Sequence, residues 1–124
     1  MPNITDAFSG FSTNDIPAAQ GFYAETLGLD VTLENDMLIL GLPGGARVLV
    51  YPKQDHRPAT YTCLNFEVPD IEAAVDELVD RGVTFERYEG MPHDERGVVR
   101  EWGPPIAWFT DPGGNILAVI ETAD

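Results

Sequence analysis

The 124-residue chain has little cysteine, little histidine and few basic residues, and each scarcity excludes something. One cysteine, Cys63, rules out an internal disulfide framework and a thiolate metal cluster. Seven Lys and Arg against 21 Asp and Glu give a formal charge of −14, which argues against nucleic acid or an anionic membrane surface as a partner. The same balance suits a cationic ligand, although a solvated acidic surface is the plainer account of it. The two histidines, His56 and His93, both fall in stretches that read as loops. No apolar run of about 18 residues and no signal-peptide pattern is visible, so a cytoplasmic protein is expected. What the chain does have is 44% hydrophobic residues, 12 Gly and 10 Pro, the make-up of one globular unit rich in strands and turns.

The stretch Cys63–Phe85 sets the pattern. Leu64, Phe66 and Val68 alternate with Cys63, Asn65 and Glu67, the period of a half-buried strand. Asp70 then caps a helix with Ile71, Ala74, Val75, Leu78 and Val79 on one stripe, and Gly82 stops it. Phe8–Val31 repeats this layout: Phe11, Asp15, Ile16 and Ala18 map onto Phe66, Asp70, Ile71 and Ala73 at an offset of 55 residues. An internal repeat shapes the fold more than any single motif.

In order, the expected elements are a strand at 6–12, a helix at 16–26 with Pro17 in its first turn, and strands at 30–34, 37–41 and 46–51. Pro52–Thr60 (PKQDHRPAT) breaks the composition and reads as a linker. The second half repeats the order with a strand at 61–67, a helix at 71–81 and strands at 83–88, 105–110 and 115–121. A long polar loop, residues 90–100, and the turn Asp111-Pro112-Gly113-Gly114 separate the last three. Each half is a β-α-β-β-β module.

Three pieces carry a resemblance: NDIPAAQGFYAETLGLDV, VPDIEAAVDELVDRGV and FTDPGGNILAVIE, in that order. In them the chain resembles the vicinal-oxygen-chelate superfamily, which includes glyoxalase I, the bleomycin-resistance proteins and the extradiol dioxygenases. The resemblance implies an α+β glyoxalase-like fold, two βαβββ modules forming curled mixed sheets around a shared cavity, often in a homodimer. Residues 1–124 are then one domain made of module 1 (about 6–52), a linker (53–60) and module 2 (about 61–121). The family's metal enzymes carry a His or Gln in strand one, a Glu in strand four, a His in strand five and a Glu in strand eight. The corresponding positions here are Phe8, Leu49, Cys63 and Ala118. Phe, Leu and Ala cannot coordinate a divalent metal and one thiol is no site, so no metal and no cofactor are expected.

Residues in phase with those four positions should face the cavity: Gly10 and Ser12, Arg47 and Tyr51, Asn65 and Glu67, Ile116 and Ile120. That is an apolar floor with a few polar groups. Glu67 either pairs with Arg47, meets a ligand, or lies in water at a strand end. Cys63 reads as a small buried hydrophobe rather than a nucleophile. His93-Asp94-Glu95 reads as a solvated acidic loop, with His93 a general base only if that loop folds over the cavity. Among Tyr88, Met91, Trp102 and Trp108, which surround the loop, Trp102 is assigned to ligand contact and Trp108 to the core. No catalytic residue is assigned. The expected function is binding of a small organic molecule, cationic or aromatic, at Phe8, Ser12, Arg47, Leu49, Tyr51, Cys63, Asn65, Glu67, Trp102 and Ala118. The alternatives are a glyoxalase-type lyase, isomerase or dioxygenase with a non-standard metal site, and a protein-partner module.

Overall fold

Two aspartates 55 residues apart start the two α-helices with the same hydrogen bond. Asp15 Oδ1 accepts from the Ala18 N–H at 3.0 Å and Asp70 Oδ1 from the Ala73 N–H at 3.1 Å. Each satisfies a donor that a first helical turn leaves open. The structure, a computed structural model, describes residues 2–122 and divides into two compact units, the break falling after Arg57 within the polar linker stretch.

The first unit runs β1 (Ser9–Thr13), α1 (Ile16–Gly21), a π-helical turn (Phe22–Thr26), β2 (Asp30–Glu34), β3 (Met37–Gly41) and β4 (Arg47–Pro52). Its sheet has the order β1-β4-β3-β2, with β1 parallel to β4 and the other pairs antiparallel. The helix expected as one piece changes from α to π after Gly21, the residue that weakens it, and the Leu27 N–H reaches back to Phe22 O at 3.0 Å. Tyr23 in that turn is fully buried, its ring 6.3 Å from that of Phe11. Positive φ at both Asn35 (51°) and Asp36 (61°) makes the tight hairpin between β2 and β3. The first strand begins at Ser9 rather than Asp6 because its partner β4 opens at Arg47, and Ser9 stands opposite Val48.

The second unit runs β5 (Thr62–Val68), α2 (Ile71–Asp80), β6 (Ile106–Thr110) and β7 (Ile116–Glu121), in sheet order β5-β7-β6. Parallel β5–β7 and antiparallel β6–β7 repeat the β1-β4-β3 arrangement of the first unit. Helix α2 ends on Gly82 (φ +98°), with Gly82 N–H to Val79 O and Val83 N–H to Leu78 O, both 3.0 Å. The strand expected at 83–88 does not form. The Glu86 N–H reaches Trp108 O at 2.8 Å, but the Tyr88 N–H is spent on the ring of His93, which ends any further pairing with β6. Val99 takes the neighbouring place instead, exchanging both backbone bonds with Ile106 at 2.8 and 3.1 Å.

The turn before β7 is built on a buried Asp111. Its Oδ1 accepts from the N–H groups of Gly113 and Asn115, both at 2.9 Å, and its Oδ2 from Asn115 Nδ2 at 3.1 Å. Gly114 has φ +85°, and a Cβ there would stand 3.1 Å from Pro58, so the position requires glycine twice over.

Candidate functional site

In both sheets the period of two sorts one face into the core and leaves the other open. In the first unit Leu38, Leu40, Val48 and Val50 are buried with Ala19 and Tyr23. The other face carries Gly10, Ser12, Leu49 and Tyr51, with Leu49 opposite both Gly10 and Ile39, and Ser12 opposite Tyr51. These are half-buried or exposed, as is Arg47. Phe8 precedes the strand and is 57% exposed, with the Arg47 guanidinium 5.2 Å from its ring centroid. The ion pair of Arg47 is with Asp6, at 3.0 Å. Ser12 Oγ meets His56 Nδ1 at 2.6 Å, and Lys53 N–H binds Thr13 O, so this face of β1 holds the start of the linker.

In the second unit Ala107, Phe109, Leu117 and Val119 join Ile71 and Val75 of α2 in the core. The open face is read off the ladder: Asn65, Ala118 and Trp108 stand side by side, then Glu67, Ile120 and Ile106. Asn65 and Glu67 are exposed and Ala118 is fully buried. The ladder shifts register between Thr62 and Leu64. Thr62 stands opposite Ile116 and Leu64 opposite Leu117, which leaves Cys63 as the bulged residue without a partner. Thr62 therefore occupies the row in which Cys63 was expected, and its Oγ1 accepts from Trp108 Nε1–H at 3.1 Å. Burial, and then the Asp111 carboxylate, push the Cys63 thiol above its ordinary pKa against a smaller opposing contribution from the Ile116 backbone, the reverse of what a nucleophile needs.

Trp108 is the centre of the aromatic group. Tyr88 lies 5.6 Å from it at 69°, His93 6.2 Å at 80°, and Tyr88 and His93 are 6.1 Å apart. His93 Nε2 accepts the Tyr88 N–H at 2.9 Å, so Nδ1 carries the proton and donates to Gly97 O at 2.8 Å. Both ring nitrogens are thus used in holding the loop, and neither is offered to a substrate. Of the His93-Asp94-Glu95 stretch expected to be solvated, Glu95 is exposed while His93 and Asp94 are half-buried, and Val98 and Val99 beyond it are buried. Asp94 Oδ1 receives the N–H groups of Arg96 and Val98 at 2.8 and 2.9 Å. Arg96 and Arg100 tie the same loop to α2 through Asp76 and Glu72, both at 2.9 Å.

Thr60, Tyr61, Thr62, Tyr88, Met91, Trp108 and Ile116 line a cavity of about 370 Å³ that is open to the surface. That is within the size range of small-molecule sites, and the lining is largely aromatic and apolar. The Tyr88 hydroxyl is buried and has no hydrogen-bond partner among the described residues. Burial, then the Glu86 carboxylate, raise its pKa. Trp102, 63% exposed in the turn after Arg100, is not among the residues lining this cavity, whereas Trp108, half-buried on β6, is. Loop position alone pointed to Trp102; the alternation along β6, where Ala107 and Phe109 face α2, was the signal for Trp108. A second hollow, of about 390 Å³ beside α2, is crossed by the Arg96–Asp76 ion pair and is the more polar of the two.

Residues 7–119 match the Glyoxalase/Bleomycin resistance protein/Dioxygenase superfamily, and the chain belongs to that family. A crystal structure of a member of this superfamily from Sphaerobacter thermophilus DSM 20745 superimposes with a TM-score of 0.72 at 27% identity, over 96% of this chain and 98% of that one. TnmS3, an antibiotic binding protein from Streptomyces sp. CB03234, shares the fold with a TM-score of 0.71 at 20% identity, over 99% of this chain and all (100%) of that one. The uncharacterized protein YraH of Bacillus subtilis (strain 168) is 27% identical over 123 residues, 87% of this chain and 91% of that protein.

The metal set implied by the resemblance does not fit the residues present. Phe8, Leu49 and Ala118 carry no donor atom, and Cys63, displaced by the bulge, offers a single thiol that is no site by itself. No group of three or more His, Cys, Asp or Glu side chains that could hold a metal ion occurs among the described residues.

Proposed function

We propose that the protein binds a small organic molecule on the open face of the second unit and does not transform it at a metal. The observation that carries this reading is the aromatic cavity of about 370 Å³ around Trp108, Tyr88 and Met91. The bulge at Cys63 contributes by turning Thr62 toward Trp108 and fixing the indole with a hydrogen bond. Asn65 and Glu67 add polar groups to the same face of β5. Ala118, at a position where the metal enzymes place a Glu, leaves an apolar floor instead of a ligating group. An antibiotic-binding protein of the same fold is a precedent for holding a guest on this scaffold, and only a precedent at 20% identity. A homodimeric assembly and residence in the cytoplasm, where an unpaired Cys63 is at home, are also part of the proposal.

The test is a thermal-shift screen of small aromatic compounds with and without chelator, beside metal analysis of untagged protein. A compound that raises the melting temperature equally in both conditions, and loses its effect in W108L, supports the reading. Near-stoichiometric manganese, iron, nickel or zinc together with chelator-sensitive turnover would overturn it.

A further inference from the structure

We propose that the guest of the Trp108 cavity is an uncharged aromatic molecule carrying a carbonyl-type oxygen, its ring against Trp108, Met91 and Ile116 and its oxygen accepting a hydrogen bond from the Thr62 hydroxyl. This rests on the binding reading above and narrows it to a ligand class. The lining supplies the first argument. It includes no Asp, Glu, Lys, Arg or His, in a chain with 21 acidic and seven basic residues. Charged side chains gather instead at the hollow beside α2, where Asp76, Arg87, Glu95 and Arg96 stand. His93 packs edge-on against Trp108, but both its ring nitrogens are spent within the loop. An ion entering the Trp108 cavity would give up part of its hydration with no counter-charge to replace it, a cost that an uncharged guest does not meet.

The bond between Thr62 and Trp108 supplies the second argument. An indole nitrogen can only donate, so the Thr62 oxygen accepts from Trp108 Nε1–H, at 3.1 Å, and keeps its own O–H to give away. No acceptor for that proton occurs among the described residues. Thr62 is half-buried and lines the cavity, so a guest there can supply the missing acceptor. A carbonyl oxygen does this without bringing a charge. The bulge at Cys63 sets up the arrangement, since it places Thr62 opposite Ile116, another wall of the same cavity. With its N–H already spent, the indole offers the guest its apolar body rather than a second donor. The Tyr88 hydroxyl is covered, so Thr62 and not Tyr88 is the donor that the guest meets.

The test uses W102F, which leaves Trp108 as the sole tryptophan reporter. Four compounds on one phenylethyl frame are titrated against it by fluorescence and melting temperature: the ketone benzylacetone, the anion hydrocinnamate, the cation phenylpropylammonium and the hydrocarbon isopentylbenzene. The ketone should bind about tenfold tighter or more than either ion. Its affinity relative to the hydrocarbon should fall several-fold in T62V and be kept in T62S, which retains the hydroxyl. Either ion binding as tightly as the ketone would overturn the uncharged assignment while leaving the small-molecule reading standing. A ketone-to-hydrocarbon ratio unmoved in folded T62V, or lost equally in T62S, would overturn the contact with the Thr62 hydroxyl. Failure of all four compounds to change either signal would overturn the assignment, and failure of the wider aromatic screen as well would take the binding reading with it.

Discussion

Thr62 and Cys63 show how one residue redirects a site. Strict alternation from Leu64 and Phe66 groups Cys63 with Asn65 and Glu67. An extra residue in β5 breaks the alternation at Cys63, and Thr62 takes the place beside Ile116. Nothing in the local sequence announces a bulge, because it answers to the register of β7 and not to the pattern of β5. Two outcomes follow. Cys63 should react with iodoacetamide at neutral pH more slowly than free cysteine and accelerate as the pH rises past the ordinary thiol range, since burial and then Asp111 hold the thiolate back. A rate equal to that of free cysteine at pH 7 would contradict this account. Replacing Thr62 by Val deprives the half-buried Trp108 N–H of its acceptor and should cost about 1–2 kcal/mol in urea unfolding, with altered Trp108 emission. A T62V protein as stable as the parent would show that the indole finds water instead.

At the scale of elements, α2 and the β2–β3 hairpin were legible for local reasons. The Asp70 cap and Gly82 stop act within a few residues, and Asn35-Asp36 supplies the positive φ the hairpin needs. Residues 83–100 were not legible, because their shape depends on bonds across the segment: Tyr88 N–H to His93, Asp94 to Val98, Val99 to Ile106. Apolar Val98-Val99 within an acidic run was the available hint of burial. Asp94 is the organising residue of this segment. Burial alone would push its carboxyl up, but the N–H groups of Val98 and Arg96 and the Arg100 guanidinium outweigh it and hold it below its ordinary value. With the folded-state pKa depressed, the stability contribution is present above the unfolded carboxyl value and is lost as the pH falls through the folded one. D94A should therefore cost about 1.5–3 kcal/mol at pH 7. The gap to the parent should narrow steadily once the pH drops below about 4. Urea unfolding across that range measures it, and a gap unchanged at low pH would show that shape rather than charge holds the loop.

The whole molecule follows from the 55-residue repeat, legible because caps and alternation recur at one spacing. The repeat accounts for two sheets of like topology, while the shorter second sheet and the aromatic cavity come from where the copies have diverged. Surface character is the remaining whole-chain property. Ile4, Phe8 and Leu33 of the first unit are 76%, 57% and 48% exposed, apolar area that a second copy would cover. Against this stands the charge of −14, which makes two copies repel at low ionic strength. Screening shortens that repulsion to about 10 Å at 0.1 M salt and about 3 Å at 1 M, while the hydrophobic attraction is not weakened. Pairing should thus strengthen with salt, the reverse of an interface held by ion pairs. Sedimentation of the 13.6 kDa chain should show a dimer fraction that grows between low and high sodium chloride and shrinks in an F8S/L33S variant. A single-chain mass at every salt concentration would sink the homodimer, and a dimer that dissociates with salt would place its interface among the charged residues instead.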